Sequence, residues 1–275
     1  MRTSLLAIAA TLLMATPAWA DDADEGGDGR AIIVVGHLAT DEAEAQASAT
    51  AGGTDVVRYE DFADKSLVSL RDTLAFSPGI YTQPRYGQEV RLSIRGSGLS
   101  RGFHMRGITL LQDGVPINLA DDNGDFQELE PIFFDHLEVY RGGNALRFGS
   151  GTLGGAINGV TPNGKDAPGL FARGDAGSFN LFRGLLTYGG SSGPGDYWLG
   201  LSADTTDGDR QHAKRHSIRF NGNVGLAVSD VVSTRFYASV NAIRQQLPGA
   251  LTAAVALSAP QTGSFAGDQQ RNINS

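Results

Sequence analysis

The stretch His136–Pro162, HLEVYRGGNALRFGSGTLGGAINGVTP, decides the fold of this chain. It holds seven glycines between two short apolar segments. Glycine at this density is typical of positive φ angles and of backbone lying close to backbone. We therefore predict two short strands joined by a glycine-rich turn region. Arg141 and Arg147 are the charged residues within the glycine run, and we expect them to face protein groups or a lumen in a structural role.

The residues before this stretch predict a small domain in which strands and helices alternate. Leu67, Leu70 and Leu74 recur on one helical face after Ser66, a candidate N-cap. Strand candidates are Val56–Tyr59, Glu89–Arg95, Phe103–Asp113 and Leu137–Tyr140, and Leu129–Phe134 is a candidate helical turn. This order predicts an α+β domain from about Thr54 to Pro162.

Residues 168 onward alternate between apolar and polar side chains. The alternating segments are Asn180–Tyr188, Tyr197–Asp204, Ser217–Ala227 and Val232–Ala242. A period of two over about ten residues, with one apolar and one polar face, is typical of transmembrane β-strands. The alternative is a soluble β-sandwich with one solvated face.

Two features favour transmembrane β-strands over a soluble β-sandwich. Arg219 and Arg235 lie in mid-strand on the polar face, which a water-filled lumen allows. The connections also alternate between short turns (Gly189–Gly195, Ser229–Asp230) and longer polar loops (Thr205–Arg215 and the residues after Gln245). Short turns on one side and long loops on the other are typical of outer-membrane barrels.

The N-terminus predicts export. Residues 1–20 combine Arg2, the apolar run Leu5–Ala15 and the small-residue site Ala18-Trp19-Ala20, the pattern of a secretory signal peptide. An acidic, glycine-rich tether follows, and then the apolar patch Ala31–His37. This patch is either an edge strand of the next domain or a recognition peptide that adds as a strand to a partner's sheet.

Composition excludes several functions. The net charge of -8 over 275 residues argues against non-specific nucleic-acid binding. The absence of cysteine excludes disulfides, thiolate metal sites and a cysteine nucleophile. The 37 glycines favour turns and β-structure over helix.

Two nucleotide-binding patterns fail on inspection. Gly149–Gly154 matches G-x-G-x-x-G, but it does not directly follow a strand and no amphipathic helix follows it. Gly159–Asp166 approaches a P-loop, but Asp166 replaces the magnesium-binding hydroxyl residue and Pro162 removes a backbone N–H. We predict no nucleotide cofactor.

Metal and catalytic sites are likewise not predicted. Asp121, Asn123 and Asp125 have the first spacing of a calcium loop, but Phe126 stands where that loop needs glycine. A solvated acidic loop is the simpler interpretation. The five histidines are scattered, and no nucleophile and base come together in the sequence. The chain is therefore not predicted to be an enzyme.

Four segments together resemble the N-terminal part of a TonB-dependent outer-membrane receptor. They are Leu70–Ile80 (LRDTLAFSPGI), Ile94–Gly96 (IRG), Leu111–Pro116 (LQDGVP) and Val139–Thr161 (VYRGGNALRFGSGTLGGAINGVT). The resemblance implies a plug domain inside a 22-stranded barrel. It also implies import of scarce nutrients across the bacterial outer membrane with energy from TonB. Within the family, the layout is most similar to siderophore and ferric citrate receptors.

The resemblance implies a fold and a domain order. The fold class is an α+β plug domain followed by antiparallel transmembrane β-strands of an incomplete β-barrel. The predicted segments are a signal peptide at 1–20, a flexible arm at 21–53 with a TonB-box-like segment at 31–37, a plug at 54–165, and about five barrel strands at 166–275. Because bacterial barrels need at least about eight strands, we expect the chain to be a fragment or truncated product of a longer receptor.

The resemblance also implies partners: TonB, a metal-chelate ligand and outer-membrane lipid. Ile32, Ile33, Val34 and Val35 are the predicted TonB-binding residues. The predicted ligand-binding residues, in three plug loops, are Arg85, Tyr86, Gln88, Arg101, Phe103, His104 and Asn123. Asp121 and Asp122 would repel an anionic ligand. The alternative function is a passive outer-membrane channel or an adhesin-like binding protein.

Overall fold

The computed structural model of the protein describes residues 38–50, 52–75, 77–84, 87–97, 107–120, 124, 127–264 and 269–274. All of them lie within one compact unit, Val35–Ser275. Among these residues, no helix is long and apolar enough to cross a membrane.

The first part of the described chain, here called the N-terminal domain (Gly53–Val160), mixes short helices and strands. The helices are α1 (Leu38–Ala49, preceding the domain), α2 (Tyr59–Phe62) and α3 (Leu70–Leu74), with 3₁₀ turns at Pro131–Phe133 and Gly142–Phe148. The strands are β1 (Gly53–Arg58), β2 (Ile80–Pro84), β3 (Val90–Ile94), β4 (Ile108–Gln112), β5 (Val115–Pro116), β6 (His136–Arg141) and β7 (Gly155–Val160).

Five of these strands form one mixed sheet in the order β1-β6-β7-β4-β5, and β2 and β3 form a separate hairpin. Strands β4 and β7 are parallel, and the other pairs in the sheet are antiparallel. Two positions in the stretch His136–Pro162 require glycine, because other atoms lie too close to admit a Cβ. A Cβ on Gly159 would lie 2.4 Å from Phe134 Cζ, and one on Gly155 would lie 2.4 Å from the Tyr140 carbonyl oxygen.

The core of the domain contains the leucines that the sequence placed on one helical face. Leu67, Leu70 and Leu74 are all at most 1% exposed. The predicted helix start at Ser66 is wrong, because α3 begins at Leu70 with Ser69 as N-cap. The Ser69 N–H donates to Asp72 Oδ2 at 3.0 Å, and Leu67 has a positive φ of 49° that excludes it from the helix.

Part of the segment predicted as a flexible arm, residues 21–53, is instead helix α1. Its sequence, LATDEAEAQASA, has only a weak amphipathic pattern but is rich in alanine, the best helix former. Tertiary contacts fix it: Glu44 accepts two hydrogen bonds from the Arg58 guanidinium, and Asp41 accepts a third at 3.3 Å. Arg58 thereby lowers the pKa of Glu44.

A buried polar cluster fastens the same helix to β6. The Thr40 hydroxyl donates to Asp135 Oδ2 at 2.6 Å, and His136 Nδ1 lies 2.9 Å from the same oxygen. All three residues are at most 3% exposed. The start of the opening stretch therefore also anchors the helix that precedes the domain.

The second part of the chain is a six-stranded antiparallel sheet, here called the wall sheet. Its strands are β8 (Gly169–Gly177), β9 (Leu181–Ser192), β10 (Gly195–Thr206), β11 (Arg215–Ser229), β12 (Val232–Gln246) and β13 (Gln269–Asn274). They pair in sequence order. The connection from β12 to β13 contains α4 (Ala253–Ser258). The count of six exceeds the predicted five or so, because β13 is polar and β8 lacks clear alternation.

The two faces of the wall sheet differ as the alternation predicted. The outer face exposes large apolar side chains, including Phe182, Leu201, Ile218 and Val240. The inner face is covered by the N-terminal domain, and Leu185, Trp198 and Arg219 are buried there. The turns at Gly193–Pro194 and Asp230–Val231 lie at one end of the sheet, and the longer connections lie at the other end.

Candidate functional site

The interface between the N-terminal domain and the inner face of the wall sheet is the candidate functional site. The inward side chains of β10 are, in order, Asp196, Trp198, Gly200, Ser202 and Asp204, and all are buried. They contact the N-terminal domain and the segment that follows it at three positions along the strand. From the short-turn end to the long-connection end, we call these the hinge level (around Asp196), the apolar level (around Trp198 and Gly200) and the charge level (around Asp204).

At the hinge level, wall residues hold the segment that joins the two parts of the chain. Asn223 Nδ2 donates to the Pro162 carbonyl oxygen at 2.9 Å. Asp196 Oδ1 accepts from the Gly164 N–H at 3.2 Å. Arg235 donates to both carboxylate oxygens of Asp196, at 2.7 and 2.8 Å. The joining segment is therefore fixed to the wall sheet by both side-chain and backbone groups.

Asp113 lies behind this segment in the N-terminal domain. Its Oδ1 accepts from the Thr161 N–H at 2.8 Å and from the Thr161 hydroxyl at 2.9 Å. Burial raises the pKa of Asp113 to about 6. The protonated carboxyl is therefore preferred in the folded state relative to the unfolded chain.

This pKa shift predicts that Asp113 makes stability depend on pH. Because the folded-state pKa is above the unfolded value of about 3.9, the favourable contribution is complete below about pH 4 and is lost as pH rises through about 6. Asp113→Asn removes the ionisable carboxyl. We expect the free energy of unfolding of this variant, minus that of the wild type, to be about 2–3 kcal/mol larger at pH 7.5 than at pH 4. Urea unfolding at both pH values measures this, and an equal difference at both would contradict it.

At the apolar level, aromatic side chains of the two parts pack together. The Phe133 and Trp198 rings are 6.1 Å apart and meet edge to face at 87°. Trp198 is 1% exposed and belongs, with Leu185, to the main core of the N-terminal domain. A Cβ on Gly200 would lie 2.7 Å from Trp198 Cη2 and 2.9 Å from Phe133 Cε1. The wall sheet thus completes a core that the N-terminal domain does not close alone.

The close approach at Gly200 gives a stability prediction. We expect Gly200→Ala to cost about 1–3 kcal/mol, because both rings must shift to admit the methyl group. Gly184→Ala is the matched control on the neighbouring strand, where the nearest atom to an added Cβ is 4.0 Å away. Thermal unfolding measures both variants, and similar losses would show that the rings do not constrain the position.

At the charge level, one carboxylate of the N-terminal domain meets two arginines of the wall sheet. Glu130 accepts hydrogen bonds from Arg183 Nη2 and from Arg219 Nη1. Arg219 Nη2 also donates to Gln88 Oε1, and Gln88 Nε2 donates to Glu130 at 3.3 Å. The side chains of Glu130, Arg183 and Arg219 are at most 2% exposed.

A second carboxylate, Asp204, extends this cluster along the wall. It accepts from Arg215 Nε at 2.8 Å and from the Ser217 hydroxyl, and its Oδ1 lies 4.0 Å from Arg183 Nη1. Arg219 Nη1 is 3.5 Å from the same oxygen. We call Glu130, Asp204, Arg183, Arg215 and Arg219 the charge cluster. It links strands β9, β10 and β11 to the N-terminal domain.

Of the residues predicted from sequence to bind ligand, the structure describes only Gln88. It is 2% exposed, and its amide is engaged in the charge cluster. Arg85, Tyr86, Arg101, Phe103, His104 and Asn123 lie outside the described residues, as do Ile32, Ile33, Val34 and Val35. These assignments stay predictions.

Sequence reasoning missed most of the charge cluster. It placed Arg219, Arg235 and Asp204 on the polar faces of their strands, but it did not single out Glu130, Arg183 or Arg215. A usable signal was present, because Glu130 stands beside the apolar run Pro131–Phe134 and Arg183 interrupts Leu181–Leu186. The structural role predicted for Arg141 agrees with its hydrogen bonds to Ser77, Asp55 and the Gly53 carbonyl.

Among the described residues, no group of three or more histidine or acidic side chains is arranged to hold a metal ion. The charge cluster instead offers guanidinium donors, which suit carboxylate and phosphate oxygens rather than metal ions.

Comparison with known proteins identifies the N-terminal domain. The family model of the TonB-dependent receptor plug domain matches residues 46–156. Residues 46–156 are a TonB-dependent receptor plug domain. The N-terminal domain is accordingly called the plug from here on.

Curated relatives and solved structures agree with this family. The vitamin B12 transporter BtuB of Vibrio vulnificus is 26% identical over 178 residues, covering 65% of this chain and 28% of the relative. The ferric-pyoverdine receptor PbuA of a Pseudomonas species is 28% identical over 131 residues, covering 46% of this chain and 15% of the relative. The unliganded ferric citrate transporter FecA has a TM-score of 0.68 at 23% identity, covering 87% of this chain and 38% of that protein.

The chain therefore spans well under half the length of the proteins that it matches. The likeness to FecA confirms the predicted fold class, an α+β plug followed by antiparallel strands of an incomplete β-barrel. The relatives are transporters and receptors, not enzymes. The family places the chain in the bacterial outer membrane.

Proposed function

We propose that this chain is the N-terminal portion of a TonB-dependent receptor that imports a metal chelate, a ferric siderophore or a ferric citrate-like complex, across the outer membrane. The observation that carries the proposal is the plug seated on the inner face of the wall sheet and held there by the charge cluster. A soluble sandwich does not need a separate domain covering its inner face. The relatives named for ferric pyoverdine and ferric citrate support the choice of cargo.

The proposed organisation follows from this function. Residues 1–20 direct export, residues 21–53 form an N-terminal arm with its TonB-box-like segment at 31–37 and with α1 fastened to the plug, residues 54–165 form the plug, and residues 166–275 begin the barrel wall. Because β8 and β13 each pair with a single strand among the described residues, further strands are needed to satisfy their free edges in lipid. The wall sheet is thus proposed to continue into a larger barrel.

Energy is proposed to enter through Ile32, Ile33, Val34 and Val35. A short β-branched segment can add as a strand to a partner's sheet, where main-chain hydrogen bonds supply affinity and alternate side chains supply specificity. In the sequence, this segment stands directly before α1, which Thr40 and Glu44 fasten to the plug. Tension applied by TonB to the segment would therefore reach the plug through α1.

The cargo is proposed to bind at three plug loops, Thr82–Gln88, Leu99–His104 and Leu119–Phe126. Arg85 and Arg101 would donate charge-assisted hydrogen bonds to anionic oxygens of the chelate. Tyr86, Gln88, Phe103, His104 and Asn123 would shape the pocket. The contact of Gln88 with Arg219 supports a link between the first of these loops and the charge cluster.

Growth under iron limitation tests the function. A strain that lacks the complete-length receptor containing this chain is supplied with a panel of ferric chelates, with and without the gene restored. We expect growth on at least one chelate to require both the receptor and TonB. Growth on every chelate without the receptor would contradict import of iron, and uptake that persists after collapse of the proton-motive force would indicate a passive channel instead.

A further inference from the structure

The charge cluster contains more positive than negative charge. Three guanidinium groups, from Arg183, Arg215 and Arg219, face two carboxylates, from Glu130 and Asp204. All five side chains are at most 2% exposed. Burying an uncompensated charge is costly, so this composition is a poor choice if the cluster serves only stability.

Within the part of the chain that the structure describes, some of the guanidinium donors have no acceptor. Arg183 Nε and Arg219 Nε are buried, and neither has a hydrogen-bond partner among the described residues. A buried charged donor without a partner costs free energy that a neutral side chain would not. The wall arginines therefore keep a capacity for anionic oxygens that the resting structure does not use.

The two carboxylates belong to different parts of the chain. Glu130 lies in the plug, whereas Asp204 lies on β10 of the wall sheet. When the plug moves away from the wall, Glu130 leaves with it. Three arginines then remain on the wall with Asp204 as the one carboxylate of the cluster, and the inner surface becomes more positive at this height.

The charge cluster lies in the half of the wall sheet that is nearest the long connections. Asp204 and Arg215 flank the longer connection at residues 207–214, and long connections face the cell exterior in outer-membrane barrels. Arg219 also contacts Gln88 and the Gln127 carbonyl oxygen, which adjoin two of the proposed ligand loops. A cargo leaving those loops along β9–β11 would meet the arginines early in its passage.

We propose that Arg183, Arg215 and Arg219 form an anion-accepting station on the barrel wall, which is occupied by Glu130 at rest and by carboxylate or phosphate oxygens of an anionic chelate during passage. This rests on the proposed function and restricts its cargo to anionic complexes. The planar fork of arginine suits such oxygens because it donates two parallel hydrogen bonds. A neutral or cationic cargo gains nothing from the station.

Ion selectivity of the opened receptor tests the station without knowledge of the cargo. The complete-length receptor containing this chain is reconstituted into planar bilayers, its plug is released with urea, and the reversal potential is measured in a KCl gradient. We expect Arg183→Gln/Arg219→Gln to lower the anion-to-cation permeability ratio by roughly tenfold. Arg183→Lys/Arg219→Lys keeps the charge and should keep the ratio near that of the wild type.

A single variant serves as the control. Arg244→Gln removes an exposed cation from the outer face of β12, so it should not change the ratio. An unchanged ratio in the double glutamine variant, or an equal fall in Arg244→Gln, would overturn the station. Because the measurement uses neither TonB nor a chelate, its failure is separable from failure of the growth experiment.

Discussion

Replacing Glu130 with alanine is expected to lower the free energy of unfolding of the plug by about 3–5 kcal/mol. The substitution removes the acceptor of Arg183 Nη2 and Arg219 Nη1 and leaves both guanidinium groups buried with Asp204, 4.0 and 3.5 Å away, as the remaining carboxylate of the charge cluster. Breaking one side of a buried ion pair costs far more than losing a surface pair, because the remaining charge is neither solvated nor neutralised.

Urea-induced release of the plug from the complete-length receptor measures this loss. Glu42→Ala removes an exposed carboxylate of α1 and is expected to change stability by less than about 0.5 kcal/mol. A double-mutant cycle with Arg219→Met should show a coupling energy of at least about 1 kcal/mol. A loss below about 1 kcal/mol for Glu130→Ala would mean that Glu130 does not anchor the plug.

The second large effect is expected from Val34→Pro, which should abolish energised uptake while leaving binding of the chelate at the cell surface intact. Proline fixes φ and removes a backbone donor, so the Ile32–Val35 segment would lose a hydrogen bond to an added partner sheet. The proposed ligand loops lie elsewhere in the chain and keep their residues.

Uptake and surface binding are measured with the same labelled chelate, in energised and in de-energised cells. Ala23→Pro places the same residue in the acidic tether and should leave both quantities unchanged. Undiminished uptake in Val34→Pro would remove the segment from consideration as the TonB-binding site. Loss of surface binding would instead indicate a general folding defect.

The elements predicted best from sequence are those whose signal is local. Strands β3, β11 and β12 follow segments in which side chains alternate with a period of two, and that period alone determines which side chains share a face. The glycine-rich stretch likewise predicted close approach of backbone to backbone, which Gly155 shows against the Tyr140 carbonyl oxygen, whereas Gly159 lies against the Phe134 ring. Helix α1 escaped prediction because its pattern is weakly amphipathic, and its fixed position depends on Thr40, Asp135 and Arg58, which come together only after folding.

The interface was less predictable because its partners are distant in sequence. Glu130 is 53 residues from Arg183 and 89 residues from Arg219. No periodicity reports such a pairing. Alternation placed Arg219 on the inner face but left open whether it meets water or protein, and the plug decides that question by covering it.

The sequence by itself predicted export of the chain, and it determined the order of a glycine-rich plug domain and amphipathic strands with an inner and an outer face. These follow from short-range patterns of composition and periodicity. Only the tertiary structure decided what the inner face contacts, where Glu130 and Asp204 meet three arginines and where Trp198 enters the plug core. The physical reason is that burial and charge pairing depend on the environment of a side chain, and that environment exists only when distant segments have been brought together.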